Sequence, residues 1–197
     1  MKKQIVFFLF FTINFSYCQE QKNIFEKLPN NIDNLSELNI NDSIIKIYIT
    51  DIIQIKTLIQ KSKKKYKVIY FFSPSCHSCM ETFPEISKYL IEKEKYFDFF
   101  IVSGHRYTNV PLINKYLSSQ FYYRPVFIID TEKYGNKSNP FKRLDLVTQE
   151  MCPKCDYEKM GFSAYFVLDE NSEIILNTNW ENENIEKITK LKSIPID

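Results

Sequence analysis

The stretch KVIYFFSPSCHSC, Lys67–Cys79, joins an apolar run to a short Ser/Pro turn and to two cysteines that are separated by two residues. The run Lys67–Phe72 is short, nearly all apolar, and rich in β-branched and aromatic residues, which is typical of a buried central strand. Apolar residues recur at helical spacing after Cys76 and predict a helix that extends to about Lys95. The two cysteines therefore lie where a buried strand turns into a helix.

Strands and helices alternate along most of the chain, which is typical of an α/β fold. A lead-in at 19–43, dense in Asn, Glu, Asp and Lys, is predicted to be flexible. The domain is predicted to span 44–197, with a polar insertion at about 131–160. The predicted order is a strand at 44–50, a helix at 51–64, the strand and helix of the first cysteine pair, a strand at 97–102, a helix at 110–117, strands at 126–130, 164–169 and 173–176, and a helix at 184–191.

The N-terminal segment MKKQIVFFLFFTINFSYCQE has the order of a secretory signal peptide, with two lysines, an apolar core, and small or polar residues at its end. A membrane-spanning helix needs about 20 apolar residues, whereas this run is shorter and is interrupted by Thr12 and Asn14. We expect residues 1–18 to be removed, which makes the protein periplasmic or otherwise extracytoplasmic. The alternatives are lipidation at Cys18, which would attach the protein to a membrane, and an uncleaved anchor.

The charges of the chain nearly balance, with 26 Lys and Arg against 24 Asp and Glu. Removal of residues 1–18 takes two lysines and leaves a neutral chain, which has no electrostatic footprint for nucleic acid. The three glycines form no phosphate-binding loop, and the two histidines share no metal-ligand spacing. The sequence therefore predicts neither a nucleic-acid partner nor a cofactor.

Four of the five cysteines form two C-x-x-C pairs, Cys76 with Cys79 in CHSC and Cys152 with Cys155 in CPKC. An exported chain with paired cysteines is expected to form or exchange disulfides. Three roles are open for the second pair: a relay that attacks a Cys76–Cys79 disulfide, a structural disulfide of its own, or a zinc site in which all four cysteines are ligands. The two pairs lie much further apart along the chain than the roughly 15 to 20 residues of a zinc ribbon.

The two cysteines of the first pair are predicted to have different roles. A cysteine at a helix N-terminus sits where unpaired backbone N–H groups and the helix dipole favour a negative charge, and such thiols have a pKa of roughly 3.5 to 7.5 instead of about 8.5. Cys76 is therefore predicted to be the nucleophile and Cys79 the resolving thiol, the alternative being an inert disulfide. His77 is a candidate for redox tuning as an imidazolium beside the thiolate, or else an exposed turn residue. His105 is expected at the surface.

The strand, the turn, the C-x-x-C pair and Pro84, five residues after the second cysteine, resemble the thioredoxin fold. RPVFIID at 124–130 and GFSAYFVLDENSEII at 161–175 resemble the inserted strand and the final hairpin of exported bacterial thiol-disulfide oxidoreductases of the TlpA/ResA type. The resemblance covers about 44–192. It implies a thioredoxin-like three-layer α/β fold, with a central mixed sheet, helices on both faces and an extra inserted strand. It also implies an enzyme that exchanges disulfides with protein substrates and with a redox partner protein, in a direction that the residues do not reveal.

Two positions depart from that family's pattern. Thioredoxin-like enzymes carry a cis-proline before the hairpin strand, whereas this chain has Ser163, so we expect a trans bond between Phe162 and Ser163. Pro125 is a rival for that proline, but the segment after it lacks an apolar strand for the hairpin. Tyr70 stands where cytosolic thioredoxins carry a buried acid. The alternative functions are therefore a four-cysteine zinc module or a thioredoxin-like binding module without redox activity. In this fold the loop before the hairpin strand lies beside the cysteine turn, a placement that would allow the second pair to come close to the first.

Overall fold

The computed structural model describes residues 25–32, 34–38, 44–135 and 139–196. The predicted signal peptide and Cys18 lie outside these residues. The strands are β1 (Phe25–Lys27), β2 (Ile47–Thr50), β3 (Tyr66–Phe71), β4 (Phe97–Ser103), β5 (Val126–Ile129), β6 (Tyr165–Leu168) and β7 (Ile174–Asn177). The α-helices are α1 (Ile52–Lys61), α2 (His77–Glu92), α3 (Val110–Ser119), α4 (Thr131–Tyr134), α5 (Pro140–Met151) and α6 (Asn184–Lys192). Across the described ranges, no helix is both long and apolar enough to cross a membrane.

The strands form one sheet in the order β1-β2-β5-β4-β3-β6-β7. The first five strands are parallel, whereas β6 pairs antiparallel with β3 and β7 pairs antiparallel with β6. β5 lies between β2 and β4, so it is the inserted strand that the sequence predicts at 126–130. Helices cover both faces of this mixed sheet, and the predicted fold class is confirmed.

The central strand β3 fixes the position of the cysteine turn. All six of its residues are buried, because it lies between β4 and β6 and is covered by helices. Its C-terminal half pairs Tyr70 with Ile101 on one side and with Tyr165 on the other. A continuous apolar run is what a strand needs when both of its faces are buried. Two hydrogen-bonded neighbours therefore hold the end of β3 and the turn that follows.

Three helices pack around the cysteine turn on one side of the sheet. α2 packs along α6, and Tyr116 of α3 stacks on Phe72 and packs against Phe83 of α2. Pro84 lies inside α2, as its position in the sequence predicts. α1 and α5 contact each other elsewhere in the fold. The beginning of α2 is thus enclosed by α3 and α6.

The described part of the predicted flexible lead-in belongs to the domain, which corrects the expectation for 19–43. β1 extends the sheet by pairing with β2, and Leu28 and Leu38 are buried in the core. The three side chains of β1 are all exposed. Its contribution is therefore a row of backbone hydrogen bonds along the edge of β2, and this leaves no alternation of apolar and polar residues in the sequence.

The insertion at 131–160 contains a helix that the sequence analysis misses. Asn139 caps α5 by accepting a hydrogen bond from the Lys142 N–H at 2.8 Å, and a proline occupies the first helical position, where no backbone donor is needed. The buried face of α5 includes the polar Arg143 and Thr148 beside Leu144. These two polar residues interrupt the apolar pattern by which such a helix is recognised.

Candidate functional site

Cys76 occupies the N-cap position of α2, directly after the turn that leaves β3. Its backbone N–H donates to the Ser73 carbonyl at 3.2 Å, which closes the turn. Its Sγ accepts a hydrogen bond from the backbone N–H of Cys79 at 3.3 Å. Free N–H groups at the start of a helix favour a negative charge, so this geometry stabilises a thiolate at Cys76. The side chain is only partly buried, which leaves the sulfur accessible.

The pKa of Cys76 is lowered from 9.0 to about 6. The largest cause is the hydrogen bond from the Cys79 thiol; the backbone N–H groups of Cys79 and Ser78 and the positive charge of Lys187 add to it. Partial burial opposes the shift. At neutral pH Cys76 is therefore mainly a thiolate, the form that attacks disulfides.

Cys79 lies one turn into α2 and is fully buried. Its Sγ lies 3.8 Å from the Phe71 carbonyl oxygen. Burial raises the pKa of Cys79 well above its ordinary value, and the neighbouring Cys76 raises it further. The two sulfurs thus differ in both exposure and protonation: one is an accessible thiolate and the other a buried thiol.

His77 lies at the surface of α2 and pairs with a carboxylate of the same helix. Its side chain is 87% exposed and pairs with Glu81, Nε2 to Oε1 at 2.9 Å. Because both partners lie on the solvent side of α2, an imidazolium at this position is screened by water and by the carboxylate. The structure therefore assigns the positive charge near Cys76 to a different residue, Lys187.

Lys187, on α6, is the functional candidate that the sequence analysis misses. Only 1% of it is exposed, and its Nζ donates to Ser163 Oγ at 3.1 Å and to Ser78 Oγ at 3.3 Å. Burial lowers the pKa of Lys187, whereas the charges of Cys79 and Cys76 act in the opposite direction. The sequence holds one sign that Lys187 is buried, because it shares the buried helical face with the apolar Ile188 and Leu191.

Ser163 faces the CHSC turn from the loop before β6. Its N–H donates to the Phe71 carbonyl at 2.7 Å, and its Oγ lies 2.7 Å from Ser78 Oγ and 3.4 Å from Thr82 Oγ1. The described residues contain no cis peptide bond, and the predicted trans bond before Ser163 is confirmed. Its φ of 71° lies in the left-handed region that L-residues seldom adopt.

Tyr70 lies beneath the cysteine turn and is fully buried. Its hydroxyl forms a hydrogen bond of 2.8 Å with Thr82 Oγ1, and its nearness to Cys79 counteracts part of the rise in the pKa of that thiol. Burial raises the pKa of Tyr70 well above its ordinary value, so the phenol is neutral at physiological pH. At the position where cytosolic thioredoxins carry a buried acid, this site thus has a neutral phenol.

Cys152 and Cys155 form a disulfide, with their Cα atoms 5.3 Å apart. Cys152 lines a depression together with Ser172 and Ile174. The hairpin pairs Leu168 with Ile174 and also with Lys67 of β3, so this depression lies at the end of the sheet opposite to the cysteine turn. Four or more residues of strand separate the two ends, about 13 Å or more at 3.3 Å per residue.

The structure therefore does not bring the two cysteine pairs together. α5 is the physical reason, because it starts beside β4 at the active end, where Arg143 Nε donates to the Gly104 carbonyl at 2.6 Å. The helix approaches so closely that a Cβ on Gly104 would lie 2.6 Å from the Pro140 carbonyl oxygen. It then carries the chain to the far end before the second pair begins. Neither a direct relay nor a four-cysteine zinc site fits this separation, and no group of three or more potential metal ligands occurs among the described residues.

His105 is buried, not at the surface as expected. Its Nε2 forms a hydrogen bond of 2.7 Å with Ser73 Oγ, and its Nδ1 one of 2.8 Å with the Asn109 amide. Its ring stacks on Phe162 with centroids 5.5 Å apart. Burial lowers the pKa of His105, which favours the neutral ring. His105 thus ties the cysteine turn to the loop that precedes β6.

An open groove of about 480 Å³ lies beside the cysteine turn. The residues that line it include Pro74, Met80, Leu112 and Tyr116. Met80 and Leu112 are exposed apolar side chains. A polypeptide bound at Cys76 would find an apolar surface within reach of the sulfur.

No family model and no curated protein matches the chain. Among solved structures, a thioredoxin-like protein in the oxidised form is 17% identical, with a TM-score of 0.47 over 65% of this chain and 75% of that one. A thiol:disulfide interchange protein of Chlorobium tepidum is 17% identical, with a TM-score of 0.44 over 64% of this chain and 79% of that one. A thio-disulfide isomerase of Thermus thermophilus is 14% identical, with a TM-score of 0.42 over 68% and 81%. The likeness of this chain to these proteins is one of fold.

Proposed function

We propose that this protein is a thiol-disulfide oxidoreductase that exchanges disulfides with protein substrates, with Cys76 as the nucleophile and Cys79 as the resolving thiol. One observation carries the proposal. An accessible sulfur at the start of a helix accepts a backbone N–H of that helix, and a fully buried thiol lies one turn further on. This pairing of thiolate and protected thiol is what a two-step exchange needs.

In the direction of substrate reduction, the exchange has two steps. The Cys76 thiolate attacks a substrate disulfide, forming a mixed disulfide and breaking the substrate S–S bond, whose first sulfur leaves as a thiolate and takes up a proton. Cys79 then loses its proton and attacks Cys76 Sγ. The second substrate sulfur leaves, and a Cys76–Cys79 disulfide remains. The protein is oxidised by two electrons, and a redox partner protein returns it to the dithiol; substrate oxidation runs the same steps in reverse.

The proposal includes export and a kinship with the TlpA/ResA type. The segment 1–18 supports export, as does the disulfide between Cys152 and Cys155, since such bonds persist mainly in oxidising compartments. The insertion of β5 between β2 and β4 supports the kinship. The domain would then follow a removed signal peptide, and lipidation at Cys18 would add a membrane anchor. The second cysteine pair is assigned a structural role.

A redox titration of the purified protein tests this function. The protein is equilibrated in buffers of reduced and oxidised dithiothreitol, its thiols are trapped by alkylation, and they are counted by mass. We expect one reversible two-electron step that disappears in Cys76→Ser. In Cys79→Ser we expect a stable mixed disulfide with a small model protein such as insulin. If the wild-type thiols titrate only after addition of a chelator, the oxidoreductase proposal fails and a metal site replaces it.

A further inference from the structure

Resolution of the mixed disulfide poses a problem that the structure itself can answer, provided that the proposed function holds. The Cys79 thiol must lose its proton before it can attack Cys76, yet it is fully buried. Water cannot reach it directly in the described structure, so the proton needs an acceptor inside the protein. The acceptor must be a base that hydrogen-bonded groups connect to Cys79.

A chain of side-chain hydroxyls begins beside Cys79. The Tyr70 hydroxyl is near enough to the Cys79 sulfur to counteract part of the rise in the pKa of Cys79, and it lies 2.8 Å from Thr82 Oγ1. Thr82 Oγ1 lies 3.4 Å from Ser163 Oγ. Tyr70, Thr82 and Ser163 are all fully buried, so the chain is shielded from solvent along its whole length. The Thr82 hydroxyl also lies 2.8 Å from the Ser78 carbonyl oxygen, and its rotation away from that carbonyl completes the chain.

Lys187 stands at the other end of this chain. Its Nζ lies 3.1 Å from Ser163 Oγ, and the described salt bridges do not include it, so no carboxylate there fixes its charge. The charged groups around it are the two cysteines of α2 and Glu186 of α6. A buried ammonium is costly without a negative partner, and in the dithiol state the Cys76 thiolate is that partner.

We propose that Lys187 is the proton acceptor for Cys79, reached through the hydroxyls of Tyr70, Thr82 and Ser163. Formation of the mixed disulfide removes the negative charge of Cys76, so the buried Lys187 ammonium loses its partner and releases its proton, to the leaving substrate thiolate or, where that thiolate needs none, to the buffer. The free amine then takes the Cys79 proton along the hydroxyl chain, and the Cys79 thiolate forms the new S–S bond. The second leaving thiolate takes this proton from Lys187. Two protons leave the protein with two substrate thiols, and no other reactant is needed.

Three substitutions separate this role from a purely electrostatic or structural one. Lys187→Met removes both the charge and the base while keeping the length of the side chain. Lys187→Arg keeps a positive charge but supplies no base, because a guanidinium does not lose its proton in proteins. Thr82→Val leaves Lys187 in place and breaks the hydroxyl chain. Lys190→Met is the matched control, since Lys190 lies on the same helix in an exposed pair with Glu186.

The assay is a stopped-flow reaction with a symmetrical aryl disulfide whose thiolate is coloured. The first thiolate is released when Cys76 attacks, and the second when Cys79 resolves the mixed disulfide. Aryl thiolates leave without a proton, so in this assay Lys187 releases its proton to the buffer before it accepts that of Cys79, and the second phase reports deprotonation of Cys79. Both phases are recorded from pH 5 to pH 9, and the fold of each variant is checked by circular dichroism.

We expect the second phase to slow about a hundredfold in Lys187→Met, the usual scale for loss of a positioned base. We expect the same slowing in Lys187→Arg and Thr82→Val, whereas the first phase of these two variants and both phases of Lys190→Met stay as in the wild type. Recovery of the second phase in Lys187→Arg, or a normal second phase in Lys187→Met or Thr82→Val, overturns the proposal. If Lys187→Met does not fold, the other two variants decide. A wild-type protein that shows no first phase refutes the proposed function instead, so the two failures are distinguishable.

Discussion

Replacement of Cys79 by alanine should raise the pKa of Cys76. The thiol of Cys79 is the largest cause of the low pKa of Cys76, and alanine removes it while leaving the backbone N–H at 3.3 Å in place. The substitution therefore separates two effects on the pKa of Cys76: the hydrogen bond from the Cys79 thiol is lost, whereas the backbone N–H groups at the start of α2 remain. The substitution also leaves Lys187 intact.

The size of the effect follows from the energy of the lost hydrogen bond. A hydrogen bond to a charged group contributes about 1.5 to 3 kcal/mol, and one pKa unit corresponds to about 1.4 kcal/mol. Cys76 is only partly buried, so solvent screening favours the lower end of that range. We therefore expect the pKa of Cys76 to rise by about one unit. The thiolate fraction at pH 7 should fall from about 90% to about 50%.

The measurement is the rate of alkylation of Cys76 by iodoacetamide as a function of pH, with mass spectrometry to confirm the modified site. Cys79→Ser is the matched control, since its hydroxyl still offers a donor to the Cys76 sulfur and should keep more of the low pKa. The second cysteine pair does not interfere, because it is held as a disulfide. An unchanged midpoint in Cys79→Ala would show that the helix N-terminus and Lys187 suffice, and would refute the assignment of the main effect to the Cys79 thiol.

Three further predictions concern the rest of the site and the fold. Ser163→Pro should destabilise the protein by about 3 kcal/mol or more in urea denaturation, because proline cannot adopt a φ of 71° or donate to the Phe71 carbonyl; a stable variant would contradict the backbone described. Replacement of both Cys152 and Cys155 by alanine should lower the free energy of unfolding by about 2 kcal/mol, as expected for a very short closed loop, and should leave the redox titration of the first pair unchanged; a shifted potential would restore a functional link. The pKa of Cys76 is lower in the folded than in the unfolded protein, so its thiolate contributes stability that is fully present above the unfolded pKa of 9.0 and is lost as the pH falls through about 6. The stability difference between the reduced protein and Cys76→Ser, measured by thermal unfolding, should therefore shrink between pH 9 and pH 6. A constant difference would count against a depressed pKa.

The elements around the cysteine turn could be predicted because local sequence determines them. β3 is apolar throughout since both of its faces are buried, and α2 begins at a C-x-x-C pair that can cap it. β1 could not be predicted, because its exposed side chains carry no pattern and only its backbone joins the sheet. α5 could not be predicted because its buried face includes polar residues such as Arg143. The Arg143 guanidinium donates hydrogen bonds to the carbonyl oxygens of Gly104 and Gly135 in the folded protein.

The chemistry of the site divides in the same way. The roles predicted for Cys76 and Cys79 rest on their spacing and on a helix start, both of which are visible in thirteen residues of sequence. The contact between Lys187 and Ser163 joins positions that are distant from the cysteine pair along the chain, and no local rule reveals it. The location of Cys152 depends on the direction of α5. Because the sequence does not predict this helix, it also does not predict that the second pair lies at the opposite end of the sheet.

The charge distribution bears on the direction of electron flow. In the dithiol state the buried Lys187 ammonium lies near a thiolate, and each charge stabilises the other. Oxidation to a Cys76–Cys79 disulfide removes the thiolate, so Lys187 must either remain charged without a partner in the interior or release its proton. Both outcomes raise the free energy of the disulfide form relative to the dithiol. A stabilised Cys76 thiolate acts in the same sense, because it lowers the free energy of the reduced state. We therefore expect the protein to accept electrons readily, with a reduction potential above the roughly −270 mV of thioredoxin, which would favour the donation of disulfides within the proposed function.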